Sequence, residues 1–131
     1  MNSQPQTSHF ERLGGEVVVR DLVDRFYDLM DLEADFAGIR ALHATTLEHA
    51  REKLFMFLCG WTGGPQYYVE RYGHPRLRAR HLPFAIGIGE RDQWMGCMEQ
   101  AMREIGIEEG LRQELTAAFY KTADFMRNRE G

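Results

Sequence analysis

The chain has little that would suit it to a membrane, to secretion or to nucleic acid. Its longest apolar run is LFMFLCGW, residues 54–61, far short of the ~20 residues that a spanning helix needs. Residues 1–9, MNSQPQTSH, hold no basic segment followed by an apolar one, so a secretory leader is not expected. Only two cysteines occur, Cys59 and Cys97. They sit among apolar neighbours without metal-ligand spacing, and read as reduced, packed thiols of a cytoplasmic protein. Positive charge is not in excess: 16 Lys and Arg against 20 Asp and Glu give −4 at pH 7. That balance speaks against a long basic face that collects phosphates. Alternating strand patterns, internal repeats and low-complexity tracts are missing too. So is any flavin or nicotinamide motif, since the Gly-Gly pairs read as turns.

What is present is a chain of 131 residues, 44% hydrophobic and 27% charged, the size of one domain. The polar residues 1–9 read as a loose tail, and residues 10–131 as the folded domain. Gly14-Gly15 precedes a helical pattern in which Val19, Leu22, Val23, Phe26, Tyr27 and Met30 share one face. Residues 32–46 are less periodic, consistent with a short helix and a corner. Thr45 with Glu48 three residues later predicts a capping box. The helix it would start carries the stripe Leu47, Ala50, Leu54, Phe57, Leu58 and Trp61, and TGGP at 62–65 stops it. Residues 66–89 mix short helices with turns. Pro75 suits a helix's first turn, and Pro83 disfavours helical geometry at Leu82. A third long pattern from Glu90 to Ile105 buries Trp94, Cys97, Met98, Ala101 and Ile105, with Gly106 expected at its C-terminal cap. A fourth, from Glu108 to Asn128, is expected to bury Leu115, Ala118, Phe119, Thr122, Phe125 and Met126. The fold class is all-α, with four principal helices.

The stretch GHPRLRARHLPFAIGIGERDQW, residues 73–94, contains two of the five histidines. On a short helix over 75–82, Leu77, His81 and Phe84 fall on one stripe, while Arg76 and Arg80 project elsewhere. The Leu77 carbonyl, one turn back, could accept the His81 Nδ1 proton and leave Nε2 free to ligate a metal. The plainer reading is a histidine near a helix C-terminus, favoured by the dipole. A zinc site needs three or four ligands, and His9, His49 and His74 make no pair with His81. A porphyrin iron needs one axial histidine because the macrocycle supplies four nitrogens. If His81 binds metal, haem is the economical partner.

RLRARHLPFAIG followed by ERDQW, with RFYDLM at 25–30 and REKLFMFLCGWTGGP at 51–65, resembles the group II truncated haemoglobins from about Phe10 to about Asn128. The resemblance implies a two-over-two helical sandwich around haem b, with His81 as the proximal iron ligand. It implies Tyr27 over the distal side and Trp94 beside the bound ligand. It puts Ala50 where larger globins carry their distal histidine, and Leu54 one turn deeper. His43 would occupy the distal corner, or Arg40 if the 32–46 stretch aligns without a gap. Phe26 and Phe84 would pack around the pocket, and Lys53, Tyr68 and Arg78 are candidates for the haem propionates. His74, beside Pro75, reads as a bystander that caps or solvates the helix start.

A bound O₂ carries partial negative charge on its outer atom. The Tyr27 hydroxyl and Trp94 indole N–H are donors, and a protonated His43 nitrogen could be a third. Charge-assisted hydrogen bonds contribute roughly 1.5–3 kcal/mol each, so O₂, and with it CO and NO, is expected to bind and O₂ to leave slowly. A small residue at Ala50 leaves a gap through which small molecules could enter. Slow release suits a carrier between compartments poorly and fits redox chemistry on the bound ligand, or sensing, better. The leading reading is a haem protein that binds O₂ reversibly, and the alternative is an enzyme that dioxygenates NO or reduces peroxide. The enzyme reading requires electrons from a separate reductase. A third possibility is a helical interaction module without haem, in which His81 and Tyr27 are structural.

Overall fold

The computed structural model describes residues 7–130. Residues 1–6, most of the expected tail, lie outside the described range. His9, the tail's last residue, instead opens helix α1 (His9–Leu13), whose N-terminus is capped by the Ser8 side chain accepting from Glu11 N–H. Gly14 then turns the chain with φ +113, in the left-handed region where a side chain would be strained. Helix α2 (Glu16–Leu32) follows, burying Val19, Leu22, Val23, Phe26, Tyr27, Leu29 and Met30. A single 3₁₀ turn (Ala34–Phe36) leads into the short α3 (Ala37–Arg40).

Helix α4 (Glu48–Trp61) starts without the expected capping box. Its N-cap position is Leu47, and Thr46 Oγ1, not Thr45, accepts from Glu48 N–H at 3.3 Å. The Arg40 guanidinium explains the shift, because it binds the carbonyls of Ala44 and Thr45 at 2.9 and 2.7 Å and ties down the corner by its backbone. Helix α4 buries Phe55, Met56, Leu58 and Cys59, while Leu54, Phe57 and Trp61 on its other flank are half-buried and packed at the core's edge. Two short helices follow, α5 (Tyr67–Tyr72) and α6 (Leu77–His81). Pro75 precedes α6 instead of entering its first turn, and Leu82 stays in right-handed helical geometry despite Pro83.

Helices α7 (Ile88–Glu104) and α8 (Glu109–Phe125) complete the chain. Gly106, at φ +83, reverses the chain between them, and the Ile107 N–H reaches back to the Met102 carbonyl at 3.0 Å. The side chain of Glu108 caps α8 by accepting from Gly110 and Leu111 N–H at 2.7 and 2.9 Å. Phe125, expected inside, is 62% exposed, under the Arg78 guanidinium at 5.8 Å.

The four long helices pack as two crossed pairs, α2 on α4 and α7 on α8, joined through α2 against α7. Val23, Phe26, Cys97, Met98, Ala101, Met102 and Leu115 are buried at the centre. The Cys97 thiol donates to the Phe26 carbonyl at 3.1 Å across the α2–α7 contact. Burial pushes this thiol up to about 12 and Cys59 to about 11, so both remain protonated and unreactive at neutral pH. No helix among the described residues is long and apolar enough to cross a membrane.

Candidate functional site

Between the two helix pairs lies a cavity of about 330 Å³, a volume suited to a small molecule or cofactor. Its walls are mostly apolar: Ile39, Leu42, Leu54, Phe57, Leu58, Trp61, Leu77, Ile86, Phe119 and Met126. Tyr27, His43, His81, Trp94, Glu90, Arg91 and Thr122 bring polar groups into that lining. A wider, open groove of about 710 Å³ lies between α2, α4 and α5, but Glu16, Arg20, Asp21, Glu52, Glu70 and Arg71 line it and it contains no imidazole.

His81 is the last residue of α6. Its Nδ1 lies 2.6 Å from the Leu77 carbonyl, as the spacing of the two residues predicts. That carbonyl can only accept, so Nδ1 carries the proton and the Nε2 lone pair is left available. Nε2 has no hydrogen-bond partner among the described residues. His74, seven residues earlier, is exposed and its Nδ1 accepts from Arg76 N–H at 3.0 Å. It stands at the turn before α6 and outside the cavity lining.

Tyr27 reaches the cavity from α2 and Trp94 from α7. Phe26 is buried behind them, its ring centroid 5.0 Å from that of Tyr27 and 5.3 Å from that of Trp94. The Trp94 indole also meets Phe119 edge-on at 5.4 Å, so its plane is held from two sides. Neither the Tyr27 hydroxyl nor the Trp94 indole N–H has a protein partner among the described residues. Burial raises the Tyr27 phenol well above its ordinary range, against a smaller lowering by Arg51. The phenol therefore keeps its proton and remains a donor. Arg51 itself bridges α4 to α2 through Asp24 at 3.2 Å and Asp28 at 2.7 Å.

His43 is in the cavity lining and Arg40 is not. Arg40 turns outward to Asp31 at 2.9 Å and to the corner carbonyls. The His43 ring stands edge-on to Tyr27 with centroids 5.7 Å apart, and its Nδ1 lies 2.8 Å from the Ile39 carbonyl. Desolvation by burial lowers the His43 pKa; the Ile39 bond opposes this, and the charges of Arg40 and His81 reinforce it. The neutral ring thus donates through Nδ1 and presents Nε2 as an acceptor. The ring's support is a relay: Gln93 on α7 accepts from Ile39 N–H at 3.0 Å, and α3 comes so close that a Cβ on Gly38 would lie 2.7 Å from the Gln93 amide.

Leu54 and Phe84 are also in the lining, Phe84 at the rim and 41% exposed. Ala50, Lys53, Tyr68 and Arg78 are not brought into it. Ala50 and Lys53 are half-buried on α4, with Lys53 Nζ 5.3 Å from the Tyr72 ring. Tyr68 is buried against Phe57 and Tyr72, and Arg78 is exposed beside Phe125. Sequence reasoning missed Gln93 and Asn128. The Asn128 side chain contacts the segment after His81 from 42 to 47 residues away, and no local spacing signals such a bond.

The donor set suits haem. Among the described residues no three His, Cys, Asp or Glu side chains gather to hold a bare metal ion. Two imidazoles, His43 and His81, line the cavity, each oriented through Nδ1 by a backbone carbonyl, and a metal that brings its own macrocycle needs only one of them as a ligand.

The bacterial-like globin family profile matches residues 8–128. The group 2 truncated haemoglobin YjbI of Bacillus subtilis is 38% identical over 114 residues, 87% of this chain and 84% of that protein. The group II 2-on-2 haemoglobin of Agrobacterium tumefaciens superposes with a TM-score of 0.92 at 40% identity, covering 98% of this chain and all of that one. The truncated oxygen-avid haemoglobin of Bacillus subtilis superposes with a TM-score of 0.85 at 35% identity, covering 93% and 100%. With two packed helix pairs around an apolar cavity that His81 enters with a free nitrogen, this chain belongs to the bacterial-like globins as a group II truncated haemoglobin, a family membership that implies haem and the binding of diatomic gases.

Proposed function

We propose that this protein holds haem b through His81 Nε2 and binds O₂, CO or NO on the side of the cofactor that faces Tyr27 and Trp94, in the cytoplasm. The observation that carries the reading is the convergence of unpartnered polar atoms, His81 Nε2, the Tyr27 hydroxyl and the Trp94 N–H, in one largely apolar cavity. No buried side-chain nitrogen or oxygen among the described residues lacks a partner, so these three atoms are reachable from the cavity and available to a ligand that enters it.

Haem held by His81 would supply an iron able to bind a diatomic gas. The Leu77 carbonyl fixes the His81 tautomer and aims its free nitrogen. Tyr27 and Trp94 are the donors in the cavity that would stabilise negative charge on a bound gas. Neutral His43 offers Nε2 as an acceptor, and in that role it orients the Tyr27 hydroxyl proton. Leu54, Phe57 and Leu58 give the cavity apolar walls, beside which a hydrogen bond is electrostatically stronger than in bulk water. Lys53, Tyr68 and Arg78 are candidates for the propionates, and Ala50 for the access route.

Two donors aimed at a partial negative charge give slow O₂ release, consistent with a relative described as oxygen-avid. Slow release favours use of the ligand in place over its transport. Titration of the purified protein with haemin, followed by pyridine extraction, tests the proposal. A sharp one-to-one endpoint and a b-type spectrum are expected. A chain that takes up no haem would leave only the structural readings of His81 and Tyr27.

A further inference from the structure

Helix α6 carries the candidate iron ligand, yet little of its own structure holds it in place. It is five residues long and none of them is buried. Its N-cap residue, Arg76, adopts the left-handed conformation at φ +47, and no side-chain hydrogen bond caps it. No other helix packs extensively along it among the described residues. A helix this short does not persist through its own hydrogen bonds. Something outside it must set where His81 sits.

The chain after α8 supplies that support. Asn128 Nδ2 donates to the Phe84 carbonyl at 2.7 Å and to the His81 carbonyl at 3.3 Å. The Asn128 Oδ1 accepts from Ile86 N–H at 2.9 Å. Two backbone donors from the same segment, Asn128 N–H and Arg129 N–H, converge on the Ile86 carbonyl at 2.8 and 3.1 Å. The segment is itself anchored, because Asp124 takes Arg91 of α7 and Arg127 at 2.7 Å each. One amide side chain therefore satisfies both a donor and two acceptors of the loop that leaves His81. Asparagine is the shortest side chain that offers two N–H donors and a carbonyl acceptor together.

We infer that Asn128 is a positioning residue for the proximal histidine: from beyond the end of α8 it clamps the carbonyls of His81 and Phe84 and the amide of Ile86, and so fixes the short helix that presents His81 Nε2 to the cavity. The inference rests on the proposed role of His81 as the iron ligand. It makes the chain's last described residues part of the proximal side, and it predicts that strain in the iron–histidine bond is set from position 128.

The test uses haem-loaded protein and the variants Asn128→Ala and Asn128→Asp. Asp keeps the acceptor for Ile86 N–H, but loses both donors and faces the two carbonyls with negative charge. Hydrogen exchange reads the clamp directly. Ile86 N–H should be protected in the wild type, should exchange about tenfold faster or more in Asn128→Ala, and should stay protected in Asn128→Asp. Resonance Raman of the ferrous, ligand-free protein reads the consequence. The iron–histidine stretching band should shift or broaden in both variants and stay in place in Lys121→Ala, an exposed change on α8 outside the cavity lining. A band unmoved in Asn128→Asp overturns the inference, as does an Ile86 amide that exchanges in the wild type as fast as an open loop. If Asn128→Ala does not fold, the Asp variant and the wild-type exchange rate decide. Absence of any iron–histidine band in the wild type would count against His81, while amide exchange would still judge the clamp.

Discussion

Replacing Trp94 by Phe isolates one hydrogen-bond donor in the cavity. The phenyl ring retains a surface for Phe26 and Phe119, whose centroids lie 5.3 and 5.4 Å from the indole, and removes only the N–H and the outer part of the indole. A hydrogen bond to a charged acceptor contributes roughly 1.5–3 kcal/mol, and each 1.4 kcal/mol is about tenfold in an equilibrium constant. The loss should therefore raise the O₂ dissociation rate about ten- to a hundredfold. Association should change far less, because access does not require the bond. Tyr27→Phe should behave alike, since burial keeps the phenol protonated and able to donate. Stopped-flow displacement of O₂ by excess CO measures both rates, and flash photolysis measures return. A dissociation rate within twofold of wild type in both variants would refute the argument that these donors retain the ligand.

Other expectations follow from the same geometry. His43 stays neutral below its ordinary pKa of 6.5, with burial the largest cause. The unfolded chain therefore binds the proton first as pH falls, and stability is lost as pH drops below about 6.5; urea titrations of wild type and His43→Phe should show this slope only in the wild type. The same protonation turns Nε2 into a donor, so O₂ release should slow as pH falls through the folded pKa, which stopped-flow traces at stepped pH would show. Gln93→Ala leaves Ile39 N–H without its partner and should cost about 1–3 kcal/mol in thermal unfolding, with the change concentrated at α3 and His43. Leu115→Ala, at a buried centre of the α7–α8 contact, should cost about 2–5 kcal/mol in urea unfolding and leave the O₂ rates nearly unchanged.

The long helices were legible because their burial is periodic. Val19, Leu22, Val23, Phe26, Tyr27 and Met30 all face the core as their spacing predicts. The His81–Leu77 bond was legible too, being a contact between residues one turn apart. What failed depends on partners distant in sequence or on competing backbone bonds. Thr45 has the right spacing for a capping box, but Arg40 occupies the corner carbonyls and shifts the cap by one residue. Phe125 fits the apolar stripe of α8, yet the last turn runs past the edge of the core and leaves it exposed. The choice between Arg40 and His43 turned on a local gap in the alignment, whereas the structure separates them by direction, outward to Asp31 and inward to the cavity. Asn128 gave no signal because its partners are more than forty residues away.

The most direct test of the account is the visible absorption spectrum of the haem-loaded protein beside His81→Gly, as isolated and after reduction under CO, with and without added imidazole. The account predicts a Soret band in the wild type that is lost or altered in the variant and regained when imidazole enters the vacated space. An identical, imidazole-insensitive spectrum in His81→Gly would contradict it, because the iron would then be held by another side chain.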